Sequence, residues 1–336
     1  MKNKDLSFFI TKYFMDYLAK EAGYSDNTIK SYRDTFVLLF RYFEDSKCIR
    51  LNKLNFENLN IENINNFLNW LEEIKGCAIS SRNQRLAALK SFSGYVMREE
   101  PTQSFICKQI LMIKSKKSKS KSVDYLTKEA IELLFKMPDI QVKGELRDLA
   151  LITLLYESGA RVQEIIDLKV ADITFKEPNT VKLTGKGKKA RIIPISKQAT
   201  EIVKLYLKNA KISENITNVF KNKQVKPLSR SGVSYVLNKY VNKASKIDPI
   251  LFNIKMHPHV LRHSKAMHLL ENNVNLIYIR DFLGHCSVMT TEIYAKCNPE
   301  IKRKYIESAS DIINSSIEGY SNEEKKTLLN WLKEYI

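Results

Sequence analysis

The residues best suited to chemistry crowd into one stretch, Met256 to Tyr294, which reads MHPHVLRHSKAMHLLENNVNLIYIRDFLGHCSVMTTEIY. All five histidines of the chain lie here: His257, His259, His263, His268 and His285. His259-x-x-Arg262 follows Pro258, a residue favoured in a first helical turn because the N–H it lacks would be unpaired there. A helix starting at Pro258 places His259, Arg262, His263 and Ala266 on one face. Leu276, Ile279, Phe282 and Leu283 form a second helical run that stops at Gly284, a C-cap residue. His285 follows the cap, and Tyr294 comes nine positions later. An arginine, acid/base or hydrogen-bonding imidazoles and a phenol together suit chemistry at an anionic centre. Two blander readings stand beside this one. Tyr294 alone fits a half-buried packing role. The i,i+4 spacing of His259 and His263 also suits a metal, although Val260 stands where a zincin helix carries glutamate.

The elements that must position this stretch begin after residue 122. Thr127 is placed to cap a helix through Met137, and Leu146 to Glu157 form an apolar helix. Gly159 then breaks the helix before Arg161, where the next begins, in SGARVQEIIDL. From 171 to 195 the period changes, and Ile173, Phe175, Val181, Leu183, Ile192, Ile193 and Ile195 predict three short strands. Thr184-Gly-Lys186-Gly-Lys-Lys189 turns between the second and third. Two glycines flank Lys186, so the loop is mobile and can approach a ligand closely. It lacks the spacing of a P-loop. Ser196 to Leu207 and Ser229 to Lys243 complete the helices ahead of the histidine-rich stretch.

Residues 1 to about 112 read as helices nearly free of proline. Ser25 to Thr28 resembles an N-terminal cap ahead of Ile29, Tyr32, Phe36, Leu39, Phe40 and Phe43 at helical spacing. A second run carries Ile64, Phe67, Leu68 and Leu71, and a third Leu86, Leu89, Phe92 and Tyr95, with Arg82, Arg85 and Lys90 between. These basic residues predict a bundle with a basic, DNA-facing side. Lys114-Ser-Lys-Lys-Ser-Lys-Ser-Lys-Ser122 cannot bury a core and reads as a flexible linker. Its lysines, Lys114, Lys116, Lys117, Lys119 and Lys121, are expected near phosphates. The expected organisation is therefore a helical DNA-binding domain over 1–113, the linker over 114–122, a catalytic domain over 123–316 and an amphipathic helix over 317–336.

Over 336 residues, 55 Lys and Arg against 37 Asp and Glu give a net charge of +18. Such an excess points to a polyanionic partner, most simply nucleic acid. Five scattered cysteines without a C-x-x-C argue for a reducing compartment and against a disulfide framework or zinc ribbon. No apolar run approaches the roughly 18 residues of a membrane span, and MKNKDLSFFITKYF lacks a signal-peptide core. The expectation is a cytoplasmic protein with no membrane partner.

Taken in order, Arg161, Lys186, His259-x-x-Arg262, His285 and Tyr294 form a set more specific than any member. Here the sequence resembles the tyrosine recombinases, the phage integrase and Xer-like family. SGARVQEIIDL looks like the family's first-arginine box and LTGKGKKARIIPI like its β-hairpin lysine box. HPHVLRHSKAMHLL looks like its His-x-x-Arg box and LGHCSVMTTEIYAK like its nucleophile box. SDNTIKSYRDTFVLLFRYF and SSRNQRLAALKSFSGYV look like its core-binding domain. Lys265 stands where an aromatic is common.

The resemblance implies a mainly α fold with a small antiparallel β-sheet, and a site-specific recombinase or integrase, an enzyme of integration or transposition. It cuts and rejoins DNA through a 3′-phosphotyrosyl intermediate, with no cofactor and no metal. Tyr294 is then the nucleophile, Arg161 and Arg262 hold the phosphate, and His259 takes the tyrosine proton. His285 donates to the phosphate and Lys186 protonates the departing 5′ oxygen. Glu164 orients the site and His263 supports it, while His257 and His268 are structural or solvent-facing. The implied partners are double-stranded DNA with specific recombination sites and other protomers, as a homotetramer or a heterotetramer with a related recombinase. Alternatives are strand relaxation of the type IB topoisomerase kind, a non-catalytic DNA-binding protein on the same scaffold, and a histidine-based metal hydrolase. In the tail, Ser321 and Glu324 form a capping box ahead of an apolar stripe, Leu328, Trp331, Leu332 and Tyr335, expected to dock in cis or on a neighbouring protomer.

DNA affinity should fall with salt at a log–log slope of about −0.9 per phosphate neutralised. Replacing the five linker lysines by serine is expected to flatten that slope with little change in site preference, measured by fluorescence anisotropy across a salt series.

Overall fold

The computed structural model describes residues 5–117, 123–185, 187, 189–212, 216–284, 291 and 294, with 323, 326, 327 and 330 of the tail. The chain divides into two compact units, Met1–Lys121 and Ser122–Ile336.

The first unit is all helical. Helix α1 (Leu6–Lys12) runs into a π-helix over Tyr13–Glu21, followed by α2 (Asp26–Lys47), α3 (Ile61–Glu73), α4 (Ile79–Glu99) and α5 (Ser104–Met112). Periodicity sets the inward faces: Phe36, Leu39 and Phe43 of α2, Ile64, Phe67, Leu68 and Leu71 of α3, and Leu86, Leu89, Phe92 and Tyr95 of α4 are all buried. Tyr13 contributes a ring to this core, edge-on to Phe92 at 5.2 Å, and its hydroxyl donates to the Ser91 Oγ at 2.8 Å. The start of α2 differs in detail from a capping box. Ser25 is the N-cap without a side-chain bond to the backbone, and its hydroxyl instead pairs with that of Thr28 at 3.0 Å.

In the second unit, α6 (Lys128–Lys136) is capped by Thr127, whose side chain accepts from the Ala130 amide. Helix α7 (Glu145–Glu157) is buried along most of its length, from Leu146 through Ala150 to Leu155. A residue buried on every side of a helix needs neighbours all round. Helix α8 (Val162–Ile166), α9 (Lys197–Asn209) and α11 (Pro258–Glu271) pack on α7. Three antiparallel strands, β1 (Ile173–Thr174), β2 (Thr180–Thr184) and β3 (Ala190–Pro194), form a sheet in chain order. Val181 pairs with Ile173 on one side and Ile193 on the other, and these three side chains turn inward. Helix α10 (Arg230–Ala244) follows, capped by Ser229, and α12 (Leu276–Leu283) closes the described core. Mainly α with a small antiparallel sheet is thus the observed architecture.

Helix α11 starts at Pro258, as its sequence predicts. Helix α12 stops at Gly284, whose φ of 65° is left-handed and suits a residue without a Cβ. At the turn between α7 and α8, Gly159 has φ +55°, and a Cβ there would lie 2.7 Å from the Phe282 ring of α12. Left-handed strain costs an L-residue about 1–2 kcal/mol, and forcing the ring aside costs a further 1–3 kcal/mol or so. Gly159→Ala is therefore expected to lower stability by about 3 kcal/mol in denaturant unfolding. Gly187→Ala, at φ +73° with nothing within 4 Å, should cost about 1 kcal/mol.

Candidate active site

Three consecutive carbonyls at the end of α12 collect the site. Arg191 of β3 donates from Nε to the Phe282 carbonyl at 3.0 Å. Arg262 of α11 donates from Nη2 to Leu283 at 2.6 Å. Arg161, at the N-cap of α8, donates from Nη2 to Gly284 at 3.3 Å. The last carbonyls of a helix have no partner within it and carry the negative end of its dipole, so guanidinium groups are favoured there. Arg262 also reaches across to the Gly159 carbonyl through Nη1 at 2.6 Å. The four segments of the site, the α7–α8 turn, β3, α11 and α12, are thereby tied together.

Glu164 is the acidic centre of this cluster. Arg191 grips its carboxylate with both terminal nitrogens, at 2.9 and 2.8 Å. Arg161 adds its Nη1 at 3.0 Å and its own amide at 2.8 Å. Burial by itself would raise this carboxyl, but the Arg191 fork, the Arg161 amide and the Arg161 guanidinium together hold it at about 2. Arg262 is buried. That burial, with the charges of Arg161 and Arg191, pulls it down to about 9, still cationic at neutral pH. An arginine has five N–H donors. Arg262 and Arg161 each use two in these bonds, leaving three apiece for an oxyanion.

His259 and His263 sit one turn apart on α11, with ring centroids 6.3 Å apart. His259 faces solvent, and partial burial of its ring, then Arg262 and His257, lower it from the ordinary imidazole value. His263 is pulled further down, to about 4, by burial and then by His259, His257 and Arg262, so it is neutral at neutral pH. Tyr294 is 1% exposed. Its hydroxyl shares a hydrogen bond with His263 Nδ1 at 2.9 Å. In this conformation the Tyr294 hydroxyl pairs with His263. His257 is exposed. His268 is buried, its Nδ1 2.8 Å from the Tyr156 hydroxyl. Among the described residues, no three His, Cys, Asp or Glu side chains converge as a metal-ligand set.

Lys186 and His285 lie outside the described residues, as do Lys119 and Lys121. The residue before Lys186 is described, and it lies at the site: a Cβ on Gly185 would meet Glu164 Oε1 at 3.1 Å and Arg161 Nη1 at 3.7 Å. Of the tail, Glu323, Lys326, Thr327 and Asn330 are helical and exposed, and the residues of its apolar stripe lie outside the described set.

The basic residues of the first unit are placed differently from a DNA-facing row. Arg82 is 4% exposed and pairs through Nε with Glu72 at 3.0 Å. Arg85 donates to the Ser31 carbonyl at 2.9 Å and the Thr35 hydroxyl at 3.2 Å, joining α4 to α2. Lys90 is half-buried, whereas Lys114, Lys116 and Lys117 are exposed. Lys116 is also anchored. Its ammonium is 2.7 Å from Glu72, and its backbone exchanges two hydrogen bonds with the Asn83 side chain, at 3.1 and 2.8 Å. The described start of the basic run is thus fastened to the bundle.

Arg191 is not singled out by any motif of the sequence. It stands in a strand beside Ile192, and only its place two residues before inward-facing Ile193 marks it as an inner residue.

Residues 124–300 match the phage integrase family, and residues 11–100 match the phage integrase N-terminal SAM-like domain. The tyrosine recombinase XerD of Halalkalibacterium halodurans is 35% identical over 285 residues, covering 84% of this chain and 90% of that protein. A putative integrase/recombinase of Sinorhizobium fredii, y4rC, is 33% identical and covers 92% of this chain and 93% of its own. Among solved structures, XerH site-specific recombinase bound to difH substrate shares the fold at a TM-score of 0.65 and 22% identity, over 83% of this chain and 78% of that one. The Tn1549 transposon integrase in complex with transposon right end DNA aligns at a TM-score of 0.69 and 16% identity, over 89% and 98%. The chain belongs to the phage integrase family, and it is a tyrosine recombinase. Among the described residues no helix is long and apolar enough to cross a membrane.

The clamp on Glu164 has a pH signature. A folded-state value near 2 lies below the unfolded value of about 4.3, so the stabilisation is present above the unfolded value and is lost as pH falls towards 2. The stability difference between the wild-type chain and Glu164→Gln should be constant above about pH 5.5 and shrink steadily below about pH 4.5. Urea unfolding at a series of pH values reads it.

Proposed function

We propose that this chain is a site-specific DNA recombinase that cuts and rejoins DNA through a 3′-phosphotyrosyl link, with Tyr294 as nucleophile. The observation that carries the reading is the convergence of Arg161, Arg262 and Glu164 at the end of α12, with Tyr294 hydrogen-bonded to the same helix, α11, that carries Arg262. Two guanidiniums with donors to spare fit a phosphodiester held by its two non-bridging oxygens. Loss of one such preorganised donor typically costs ~10²–10³ in rate.

In the proposed step, the Tyr294 oxygen forms a bond to phosphorus while the bond from phosphorus to the 5′ oxygen breaks. His259 receives the phenolic proton, its lowered basicity keeping it neutral and able to accept. Lys186, following Gly185 on the β2–β3 turn, gives a proton to the 5′ oxygen, and His285 donates to the phosphate. The covalent link stores the energy of the broken bond, so rejoining needs no nucleotide. Glu164 and Arg191 hold Arg161 in place. Specific double-stranded sites are the proposed substrate. Exchange between two duplexes requires four strand cuts, hence a tetramer, of this chain alone or with a related recombinase, on paired sites.

On a suicide substrate carrying the cognate site, Tyr294→Phe is expected to give no covalent protein–DNA adduct on a denaturing gel. Lys186→Ala should be defective by about 10²-fold or more on the normal substrate and restored on one with a 5′-bridging sulfur, whose thiolate leaves without a proton. An adduct at wild-type yield in Tyr294→Phe, or equal Lys186→Ala defects on both substrates, would contradict the assignments.

A further inference from the structure

The two oxygens of Glu164 are shared unequally between two arginines. Oε1 accepts from Arg161 Nη1 at 3.0 Å and from Arg191 Nη1 at 2.9 Å. Oε2 accepts from the Arg161 amide at 2.8 Å and from Arg191 Nη2 at 2.8 Å. Arg191 thus holds both oxygens, while the Arg161 guanidinium reaches only one. A guanidinium and a carboxylate favour a two-pronged fork when both oxygens are open, and Arg161 and Glu164 stand together at one helix start. Arg191 occupies the place that such a fork would need. Its backbone is paired with Leu183 of β2, so the sheet presents its guanidinium at a fixed position, and its Nε is engaged by the Phe282 carbonyl. Gly185 also crowds Oε1, since a Cβ on it would lie 3.1 Å away.

We infer that Arg191 is a positioning residue for DNA cleavage: by holding both oxygens of Glu164, it keeps Arg161 from folding onto that carboxylate and leaves the remaining Arg161 donors for the phosphate. The inference rests on the reading of Arg161 as a phosphate-holding residue. Arg191 acts through Arg161, because its Nε, Nη1 and Nη2 each serve a protein acceptor and its side chain is only 13% exposed. The Arg161 side chain, 35% exposed, meets solvent on one side and Glu164 on the other. Loss of Arg191 changes Arg161 in two ways. It opens the second Glu164 oxygen to the Arg161 guanidinium, and it leaves the carboxylate charge to be balanced chiefly by Arg161. Both draw Arg161 away from a bound anion. An arginine that merely braced the fold has the opposite signature, since its removal loosens the cluster and uncovers Arg161 further.

The test uses the full chain without DNA. Modification of Arg161 by phenylglyoxal, a guanidine-directed reagent, is timed by peptide mass spectrometry in the wild-type chain, Arg191→Met and Arg191→Met with Glu164→Gln. Methionine keeps an unbranched apolar stem and removes every donor. Arg161 in Arg191→Met should react about three- to tenfold more slowly than in the wild type. Adding Glu164→Gln, which removes the charge and one acceptor oxygen, should restore the rate. An equal or faster rate in Arg191→Met would overturn the inference, and so would a double variant as slow as the single one. If Arg191→Met does not fold, Arg191→Lys, which keeps the charge but lacks the fork, carries the same comparison with and without Glu164→Gln, read by the same outcomes. On a suicide substrate with protein in excess, Arg191→Met should cleave about tenfold or more slowly with little change in DNA affinity, and the double variant faster than the single one. Cleavage by Arg191→Met at the wild-type rate would overturn the role in cleavage. Arg161→Ala cleaving at the wild-type rate would instead overturn the reading of Arg161 itself. Because the modification involves no DNA, the two failures are distinguishable.

Discussion

The site depends on the unpaired carbonyls at the end of α12. A helix leaves its last carbonyls without internal partners, and here Phe282, Leu283 and Gly284 pass theirs to Arg191, Arg262 and Arg161 in turn. Each arginine comes from a different element, so one helix end sets the spacing of all three. Three guanidiniums this close repel one another, and Glu164 offsets part of that repulsion by accepting from two of them. The cluster stays cationic overall, three guanidiniums against one carboxylate, while its buried members remain hydrogen-bonded. Gly159 and Gly284 permit the approach, since a Cβ on Gly159 would collide with the Phe282 ring and one on Gly284 would crowd the Arg191 side chain at 3.1 Å.

From this frame the division of labour follows. Arg191, mostly buried with its side chain 13% exposed, serves geometry. Arg161 is the most open of the three, its side chain 35% exposed. Arg262 is the most deeply buried of the three, at 3%, with two donors fixed by the Gly159 and Leu283 carbonyls. The imidazoles on α11 are kept neutral by burial and by the surrounding positive charge, a state in which they accept protons rather than add to an already dense charge. The same burial that lowers His263 encloses Tyr294.

Much of this was legible in the sequence where a local rule operates. Proline at a helix start located α11, and glycine after an apolar run located the end of α12. Alternation located the sheet, and the spacing of Arg161 and Glu164 placed both at one helix start, where Glu164 accepts from the Arg161 amide and guanidinium. What local rules could not supply was direction. In β3 the hydrophobic Ile192 faces out, 67% exposed, and Arg191 faces in, because the inner position is opposite a ready carboxylate and a ready carbonyl. On α4 the basic residues read as a surface row, yet Arg82 falls on the buried stripe with Leu86, Leu89, Ser93 and Val96, where Glu72 receives it. The contact of Tyr294 with His263 is long-range, 31 residues apart in sequence, and no local rule specifies it.

The central claim is that these arginines, held by carbonyls and a carboxylate, exist to neutralise the charge of a scissile phosphate. Its most direct test is cleavage by Arg161→Ala on a substrate whose scissile phosphate is replaced by a methylphosphonate, which carries one negative charge fewer. The variant's defect relative to the wild-type chain should shrink at least tenfold or so on the methylphosphonate, as expected when a lost donor served mainly to balance charge. An undiminished defect on the uncharged centre would contradict the account.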